Sequence, residues 1–249
     1  MFEFDADLGR RGWRKYSQND EDGVLNYVFS IIPPGQERFF VEIGVGPPWL
    51  STLEESGLEA NCRLLKEKGW SGLSLDAQLY PDEYGVKQER VDPINVNPIL
   101  RKYGVPESVD LISIDVDGQD FWIWSNLVYF PSVVVIEYNA NLGVNESKVV
   151  PFNASYQWDG TKWFGASLRA LNNLAKSKGY LLTYANGVNA FFIRDSLVKN
   201  KHDFCFEKLY RFRDLHRPDA LNRMWVLIPE APGADSAQGP EVHGASTAS

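Results

Sequence analysis

One stretch constrains the fold of this chain more than any other: an apolar run that ends in an acidic residue and two glycines. Residues 39–46 read Phe-Phe-Val-Glu-Ile-Gly-Val-Gly. A continuous apolar run bounded by a turn signal is typical of a buried strand in a parallel sheet. Glycines at its carboxyl end let the backbone turn tightly and approach a ligand closely, and ligands of doubly wound sheets bind at that end of the strands. The stretch therefore predicts a nucleotide-like cofactor over Gly44 and Gly46, with a plain strand and turn as the alternative.

A second strand follows after one helix, and together they predict a βαβ unit. Ser51 and Thr52 each precede a glutamate by three residues, so either can begin a helix with a capping box, and Gly69 ends it. We expect the inner face of this helix to carry Leu58, Cys62, Leu64 and Leu65. Residues 71–76 then form a second buried strand, and a crossover of this kind places the two strands parallel.

The rest of the chain continues the alternation of strands and helices. Further strands are predicted over residues 109–115, 131–139, 180–185, 190–194 and 224–228. Further helices are predicted from about residue 21 to residue 32, over 95–103, after Asp120, over 167–178 and over 203–213. Asn186-Gly187 between two of the strands is a strong hairpin signal. Residues 77–93 are predicted to be irregular, and the long segment 140–165, with Trp158 and Trp163 as candidates to cap a substrate, is typical of a lid or binding loop.

Composition and charge narrow the class of function. The 249 residues carry a formal net charge of −8, which argues against a nucleic-acid groove, since such a groove needs a basic face. No run approaches the ~18 apolar residues of a membrane span, and the acidic N-terminus lacks the regions of a signal peptide. The two cysteines, Cys62 and Cys205, do not make a disulfide framework. We expect a cytoplasmic protein with a small-molecule substrate and with neither a nucleic-acid nor a membrane partner. Residues 1–16 are expected to form an N-terminal arm, 17–230 one domain, and 231–249 a disordered tail.

Four of the predicted strands end in polar residues, and parallel strands bring their carboxyl ends to one edge of the sheet. These residues are Glu42 with its two glycines, Asp76, Asp115 with Asp117, and Glu137 with Asn139. Asp76 is suited to accept two hydrogen bonds from ribose hydroxyls. Asp117 is a candidate general base, and the oxygens of Asp115, Glu137 and Asn139 are hard ligands that can hold an ion such as Mg²⁺.

Two other acids have more than one interpretation. Glu42 can fix the glycine turn through backbone N–H groups or meet a cationic end of a ligand. Asp120 is interpreted as a first-turn acid that faces the positive end of a helix dipole.

Taken in order, these motifs resemble the class I S-adenosylmethionine-dependent methyltransferases, specifically the FkbM-like group. The motifs are Glu42-x-Gly44-x-Gly46, Asp76, Asp110-Leu-Ile-Ser-Ile-Asp115-Val-Asp117-Gly118, Ser17-Gln18-x-x-Glu21-Asp22-Gly23, Gly165-Ala-Ser-Leu168 and Gly187-Val-Asn-Ala-Phe-Phe192. The resemblance covers roughly residues 16–195. It implies an α/β, Rossmann-like fold: a seven-stranded, mostly parallel sheet with helices on both faces and a C-terminal antiparallel hairpin. The Asn186-Gly187 signal supports that hairpin independently.

The resemblance also implies a reaction and a set of binding residues. Glu42, Gly44 and Gly46 would hold the methionine part of S-adenosylmethionine and Asp76 the ribose, with Asp115 also in contact with the cofactor. The reaction would be O-methylation of a hydroxyl on a small molecule or sugar. Asp117 would remove the proton, or a metal across Asp115, Glu137 and Asn139 would acidify the bound hydroxyl.

Pro47-Pro48-Trp49 departs from the small polar residues usual after the second glycine. This departure motivates an alternative: a non-catalytic binding protein with a degenerate methyltransferase fold. A nicotinamide-dependent oxidoreductase is a third hypothesis. It is disfavoured because the third glycine of the dinucleotide fingerprint is missing and because a hairpin is predicted at the end of the sheet.

Overall fold

The structure is a computed structural model that describes residues 1–35, 37–48, 58–220 and 222–230. The predicted capping box at Ser51 or Thr52 and the predicted tail over 231–249 lie outside these residues. So does Trp49.

Strands and helices alternate along the chain, as the sequence predicts. The strands are β1 (Phe39–Ile43), β2 (Gly46–Pro48), β3 (Leu58–Glu59), β4 (Ser71–Asp76), β5 (Val86–Gln88), β6 (Leu111–Ile114), β7 (Val133–Glu137), β8 (Lys148–Val149), β9 (Tyr180–Ala185), β10 (Asn189–Arg194) and β11 (Val226–Leu227). The α-helices are α1 (Glu21–Ile31), α2 (Arg63–Glu67), α3 (Val96–Lys102), α4 (Asp120–Asn126), α5 (Leu168–Ser177) and α6 (Phe206–Leu209).

Seven strands form one sheet in the order β5-β4-β1-β6-β7-β10-β9. Strands β5, β4, β1, β6 and β7 pair in parallel, whereas β10 runs antiparallel to both of its neighbours. The predicted fold class, an α/β Rossmann-like fold with a mostly parallel seven-stranded sheet, is confirmed. The hairpin is also confirmed: Asn186 closes it by accepting hydrogen bonds from the backbone N–H groups of Val188 and Asn189.

The central strands are buried because their residues are almost all aliphatic. In β7, the four residues from Val133 to Ile136 have no exposed surface. A strand covered on both faces reads as a continuous apolar run rather than as an alternation, which is why the sequence located β6 and β7 within two residues. The N-terminal arm packs on this body through Phe4 and Leu8, both buried.

Three sequence predictions were wrong in detail. The seventh strand of the sheet is β5, in the segment predicted to be irregular. Within the described residues, the helix expected before Gly69 is α2, and Leu58 lies in β3 instead of on the inner face of that helix. The helix expected over 203–213 is limited to the single turn α6, and residues 210–219 have no regular structure. The strand expected over 224–228 is confirmed as the short strand β11, which pairs with β8 outside the main sheet.

No helix within the described residues is both long enough and apolar enough to cross a membrane.

Candidate functional site

A cavity of about 800 Å³ lies at the carboxyl edge of the sheet. Residues at the ends of β1, β4, β6 and β7 form its floor: Gly44, Gly46, Asp76, Asp115, Asp117 and Glu137. The sequence predicts a site at this edge, and the structure brings all six residues to one cavity. Two predicted site residues, Glu42 and Asn139, do not line it.

The turn after β1 requires glycine at position 44 for a packing reason. Gly44 has φ +87°, and a Cβ built on it would lie 1.6 Å from the carbonyl oxygen of Asp115. The backbone of β6 thus passes directly against this turn. Asp76 fixes the same turn from the other side, since its Oδ2 accepts the backbone N–H of Val45 at 3.0 Å. Its Oδ1 accepts the N–H of Gln78 at 2.6 Å. Each of these oxygens keeps a second lone pair for a ligand.

Glu42 points away from the cavity, so the predicted contact with the cofactor is not supported by its position. Its side chain is 2% exposed, and its Oε1 accepts the backbone N–H groups of Asn61 at 2.6 Å and Cys62 at 3.2 Å. Burial raises the pKa of this carboxyl to about 8, although the two N–H donors oppose the shift. The alternative interpretation, that it fixes backbone through N–H groups, describes its role better, but the backbone is that of the segment leading into α2.

Asp117 stands on a strained turn that another acid holds in place. Its φ is +56°, in the left-handed region that Asp tolerates better than most residues. Asp120 stabilises the turn, since its carboxylate accepts the N–H groups of Val116 at 2.8 Å and Gly118 at 2.9 Å. Withdrawal from bulk water raises the pKa of the Asp117 carboxyl, Arg217 opposes this rise, and Asp76 adds to it. The turn therefore presents the Asp117 carboxyl to the cavity in a fixed position.

The predicted metal set is partly wrong. Carboxylate oxygens of Asp115, Asp120 and Glu137 lie within 4.8 Å of one another, so Asp120 takes the place that the sequence gives to Asn139. The Asn139 side chain is buried and saturated: its amide donates to the carbonyls of Lys162 and Phe164 at 2.8 and 2.9 Å. Its Oδ1 accepts the N–H groups of Asn141. Asn139 therefore holds the long loop and has no role as a metal ligand.

Burial and mutual repulsion together raise the pKa values of the acid cluster formed by Asp115, Asp120 and Glu137. The pKa of the Asp115 carboxyl is raised by burial first and by Asp117 and Asp120 next. The pKa of Glu137 is raised by burial and then by Asp115. Burial raises the pKa of Asp120 to about 6, opposed by its backbone N–H donors. The Oε2 atom of Glu137 is buried and has no hydrogen-bond partner among the described residues.

Two segments without regular structure close the cavity from above. The long loop contributes Ala154, Tyr156, Gln157 and Trp158 to the wall, which agrees with its prediction as a binding loop. Trp163 does not line the cavity; it packs on Tyr156 with ring centroids 5.6 Å apart.

The second segment, residues 210–219, is called the strap from here on. It contributes Arg213, Leu215 and Arg217 to the wall. The Lys162 ammonium anchors it at 3.2 Å from Asp219, and Lys162 N–H donates to the carbonyl of Pro218 at 2.9 Å.

The strap arginines are among the cavity residues that the sequence did not indicate. Their signal is the spacing Arg-x-Leu-x-Arg over residues 213–217. In an extended chain this spacing puts three side chains on one side. The prediction of a helix ending at residue 213 concealed that pattern.

Fold and cavity together define a Rossmann-like α/β protein with a cavity at the carboxyl edge of its sheet. The chain matches no protein-family model, no curated protein and no solved structure.

Proposed function

We propose that this protein is an S-adenosylmethionine-dependent methyltransferase that methylates a hydroxyl group of a small molecule or sugar. The observation that carries the proposal is the convergence of the Gly44 turn, Asp76 and Asp117 on one cavity at the carboxyl edge of a mostly parallel sheet. That edge is where doubly wound folds bind nucleotide-like ligands.

The floor residues fit the two ends of the cofactor. Gly44 and Gly46 expose backbone without side chains at the end of β1, which lets the amino-acid part of a ligand approach closely. Asp76 lies at the end of the neighbouring strand β4 and retains acceptor capacity on both oxygens for the ribose hydroxyls. Asp115, at the end of β6, lines the same part of the floor.

The chemistry asked of the chain is limited. S-adenosylmethionine, when bound, supplies an electrophilic methyl group on sulfur. The protein has to align the acceptor oxygen and take up its proton. Asp117 is placed for this task because its turn is held by Asp120 and its carboxyl faces the cavity. A pKa raised above the ordinary range makes the ionised carboxylate a stronger base.

A divalent cation is a second possible participant. Asp115, Asp120 and Glu137 would hold it, and the unpartnered Oε2 of Glu137 favours this arrangement. Such an ion would polarise the acceptor hydroxyl and ease its loss of a proton. Both oxygens of Asp120 already accept backbone N–H groups, so this ligand would have to share its lone pairs.

Two observations bear on the competing functions. Directly after Gly46 the chain forms strand β2, which pairs with β3, so the glycines do not lead straight into the helix N-terminus that a dinucleotide fingerprint needs. This disfavours the nicotinamide-dependent oxidoreductase. The hypothesis of a non-catalytic binding protein is distinguished from that of an enzyme only by experiment: the enzyme must bind S-adenosylmethionine and transfer its methyl group.

The test is calorimetric titration of the protein with S-adenosylhomocysteine, with and without Mg²⁺. We expect micromolar binding, no binding of NAD, and, if the acid cluster holds an ion, tighter binding or turnover that depends on Mg²⁺. Failure to bind S-adenosylhomocysteine under either condition would sink the proposal.

The role of Asp117 is tested separately with Asp117→Asn. This variant should keep its affinity for S-adenosylhomocysteine and lose turnover on any acceptor that the screen identifies. Asp82→Asn is the control, since Asp82 is an exposed acid outside the cavity. Equal turnover in the two variants would remove Asp117 from the mechanism.

We also propose that the protein acts in the cytoplasm. Cys62 is buried and Cys205 is half-buried, and both are free thiols, as is usual in a reducing compartment. Fractionation of cells that express the chain would test this location.

A further inference from the structure

Two arginines on one wall of the cavity lack an acidic partner. Every second side chain of the strap, those of Arg213, Leu215 and Arg217, lines the cavity. The carboxylate of Asp214, between them, lies 3.9 Å from the Lys162 ammonium. Among the described residues, neither Arg213 nor Arg217 has a carboxylate oxygen within 4.0 Å of its guanidinium nitrogens, although carboxylates line much of the same cavity. We propose that these two arginines bind an oxyanion, a carboxylate or a phosphate, carried by the methyl acceptor. The proposal rests on the methyltransferase function proposed above.

Contacts with aromatic rings fix the orientation of the Arg217 guanidinium. Its guanidinium carbon lies 3.9 Å from the centroid of the Trp158 ring and 5.9 Å from that of Phe164. Stacking on aromatic faces fixes the plane of a guanidinium and leaves its edge N–H groups free to donate. The Nε atom is buried and has no hydrogen-bond partner among the described residues. A buried donor without an acceptor is unfavourable, and a ligand oxygen would satisfy it.

Arg213 lies beside the hairpin that ends the sheet. Its Nη1 donates a long hydrogen bond of 3.4 Å to Oδ1 of Asn19. A Cβ built on Gly187 would lie 3.4 Å from the Cβ and Cδ atoms of Arg213, so the turn leaves room for this side chain. The edge N–H groups of a guanidinium match the geometry of an oxyanion and bind it by charge-assisted hydrogen bonds.

The position of the arginines favours the acceptor over the cofactor as their ligand. In the order of the sheet, Asp76 ends β4, Gly44 follows β1, Asp117 lies in the turn after β6, and Glu137 ends β7. A cofactor that extends from Asp76 to Gly44 directs its reactive end toward β6 and β7. Arg217 is on that far side. Burial raises the pKa of the Glu137 carboxyl, and Arg217 is near enough to oppose the rise. An acceptor could then place its acid group on the strap and its hydroxyl at Asp117.

The experiment is calorimetric titration of the full chain with inorganic phosphate at constant ionic strength, with and without saturating S-adenosylhomocysteine. Arg217→Gln and Arg213→Gln test the site. Arg211→Gln is the matched control, because Arg211 belongs to the same strap but lies outside the cavity and donates to the carbonyls of Lys208 and Tyr210.

We expect phosphate to bind the wild type and to bind Arg217→Gln about tenfold more weakly, the scale of a lost charge-assisted hydrogen bond. Arg211→Gln should bind like the wild type, and all variants should keep their affinity for S-adenosylhomocysteine. If Arg217→Gln melts well below the wild type, Arg213→Gln carries the test.

Three results would overturn the proposal. Failure of phosphate to bind the wild type would leave Arg217 only the role of offsetting the charge of Asp117 and Glu137. If Arg211→Gln weakens phosphate binding as much as Arg217→Gln, the effect is one of diffuse charge. Weaker binding of S-adenosylhomocysteine by Arg217→Gln would assign this arginine to the carboxylate of the cofactor. If instead the chain binds phosphate through Arg217 but no S-adenosylhomocysteine at all, the oxyanion site stands and the methyltransferase proposal fails.

Discussion

Glu42 makes a sharp prediction about stability because it is an acid buried away from the cavity. Its side chain is 2% exposed and accepts the backbone N–H groups of Asn61 and Cys62. Burial raises its pKa from the ordinary value of 4.5 to about 8. Glu42→Gln replaces the acid with a neutral side chain of nearly the same shape, so the variant removes this titration and preserves the acceptor for both N–H groups.

The sign and size of the effect follow from proton linkage. Folding raises the pKa, so between about pH 4.5 and pH 8 the folded chain keeps a proton that the unfolded chain has lost. The Glu42 contribution to the free energy of unfolding is therefore largest below pH 4.5, falls as pH rises, and levels off above pH 8. Each pH unit well inside this window is worth about 1.4 kcal/mol, so the loss between pH 5 and pH 7 is about 2 kcal/mol.

The assay is urea unfolding of the wild type and of Glu42→Gln at several pH values from 5 to 8, at constant ionic strength. The free energy of unfolding of the variant, minus that of the wild type, should rise by about 2 kcal/mol from pH 5 to pH 7. Glu37→Gln, which changes an exposed acid, should give a difference that hardly depends on pH. Parallel curves for Glu42→Gln and the wild type would refute the claim that this buried carboxyl holds its proton in the folded chain.

Three further substitutions test the geometry of the site. Gly44→Ala should lower the free energy of unfolding by about 3 kcal/mol or more, because a Cβ there clashes with the Asp115 carbonyl and adds to the cost of a positive φ. The control Gly104→Ala, at φ +67° with open space around its Cβ, should lower it by only about 1 kcal/mol. Equal melting temperatures of the two variants would contradict the predicted clash. Asn139→Ala should cost about 2–4 kcal/mol in urea unfolding, since it leaves two loop carbonyls without their donor; a loss below 1 kcal/mol would mean that water replaces the amide. Asp120→Asn should reduce turnover while leaving S-adenosylhomocysteine affinity unchanged, because it removes one acceptor from the turn that carries the base; unchanged turnover would separate Asp120 from that turn's function.

Much of the sheet could be predicted because short sequence patterns are enough to indicate buried strands and tight turns. Continuous runs of Val, Ile, Leu and Phe have few alternatives to a strand buried on both faces, so β1, β6 and β7 were located closely. The hairpin was predictable for a similar reason, since Asn-Gly favours the backbone angles of a tight turn. Strand β5 was missed because Val86–Gln88 is short and largely polar, and it forms through pairing with β4.

The candidate site was predictable as an edge of the sheet but not as a set of contacts. Strand ends placed Asp76, Asp115, Asp117 and Glu137 at one rim, and the structure agrees. Sequence did not tell which side of its strand Glu42 would face, because β1 is buried on both faces and shows no alternation.

The sequence by itself determined the fold class, the direction of the strands and the row of polar residues at their carboxyl ends, since these follow from short-range patterns of burial and turn formation. Only the tertiary structure decided which polar groups are already satisfied. The partners of Asn139 are carbonyls more than twenty residues away, and the strap that carries Arg213 and Arg217 lines the cavity and contacts Lys162 through Pro218 and Asp219. Such contacts join segments distant in sequence, and their free energy is fixed by geometry that no local pattern records.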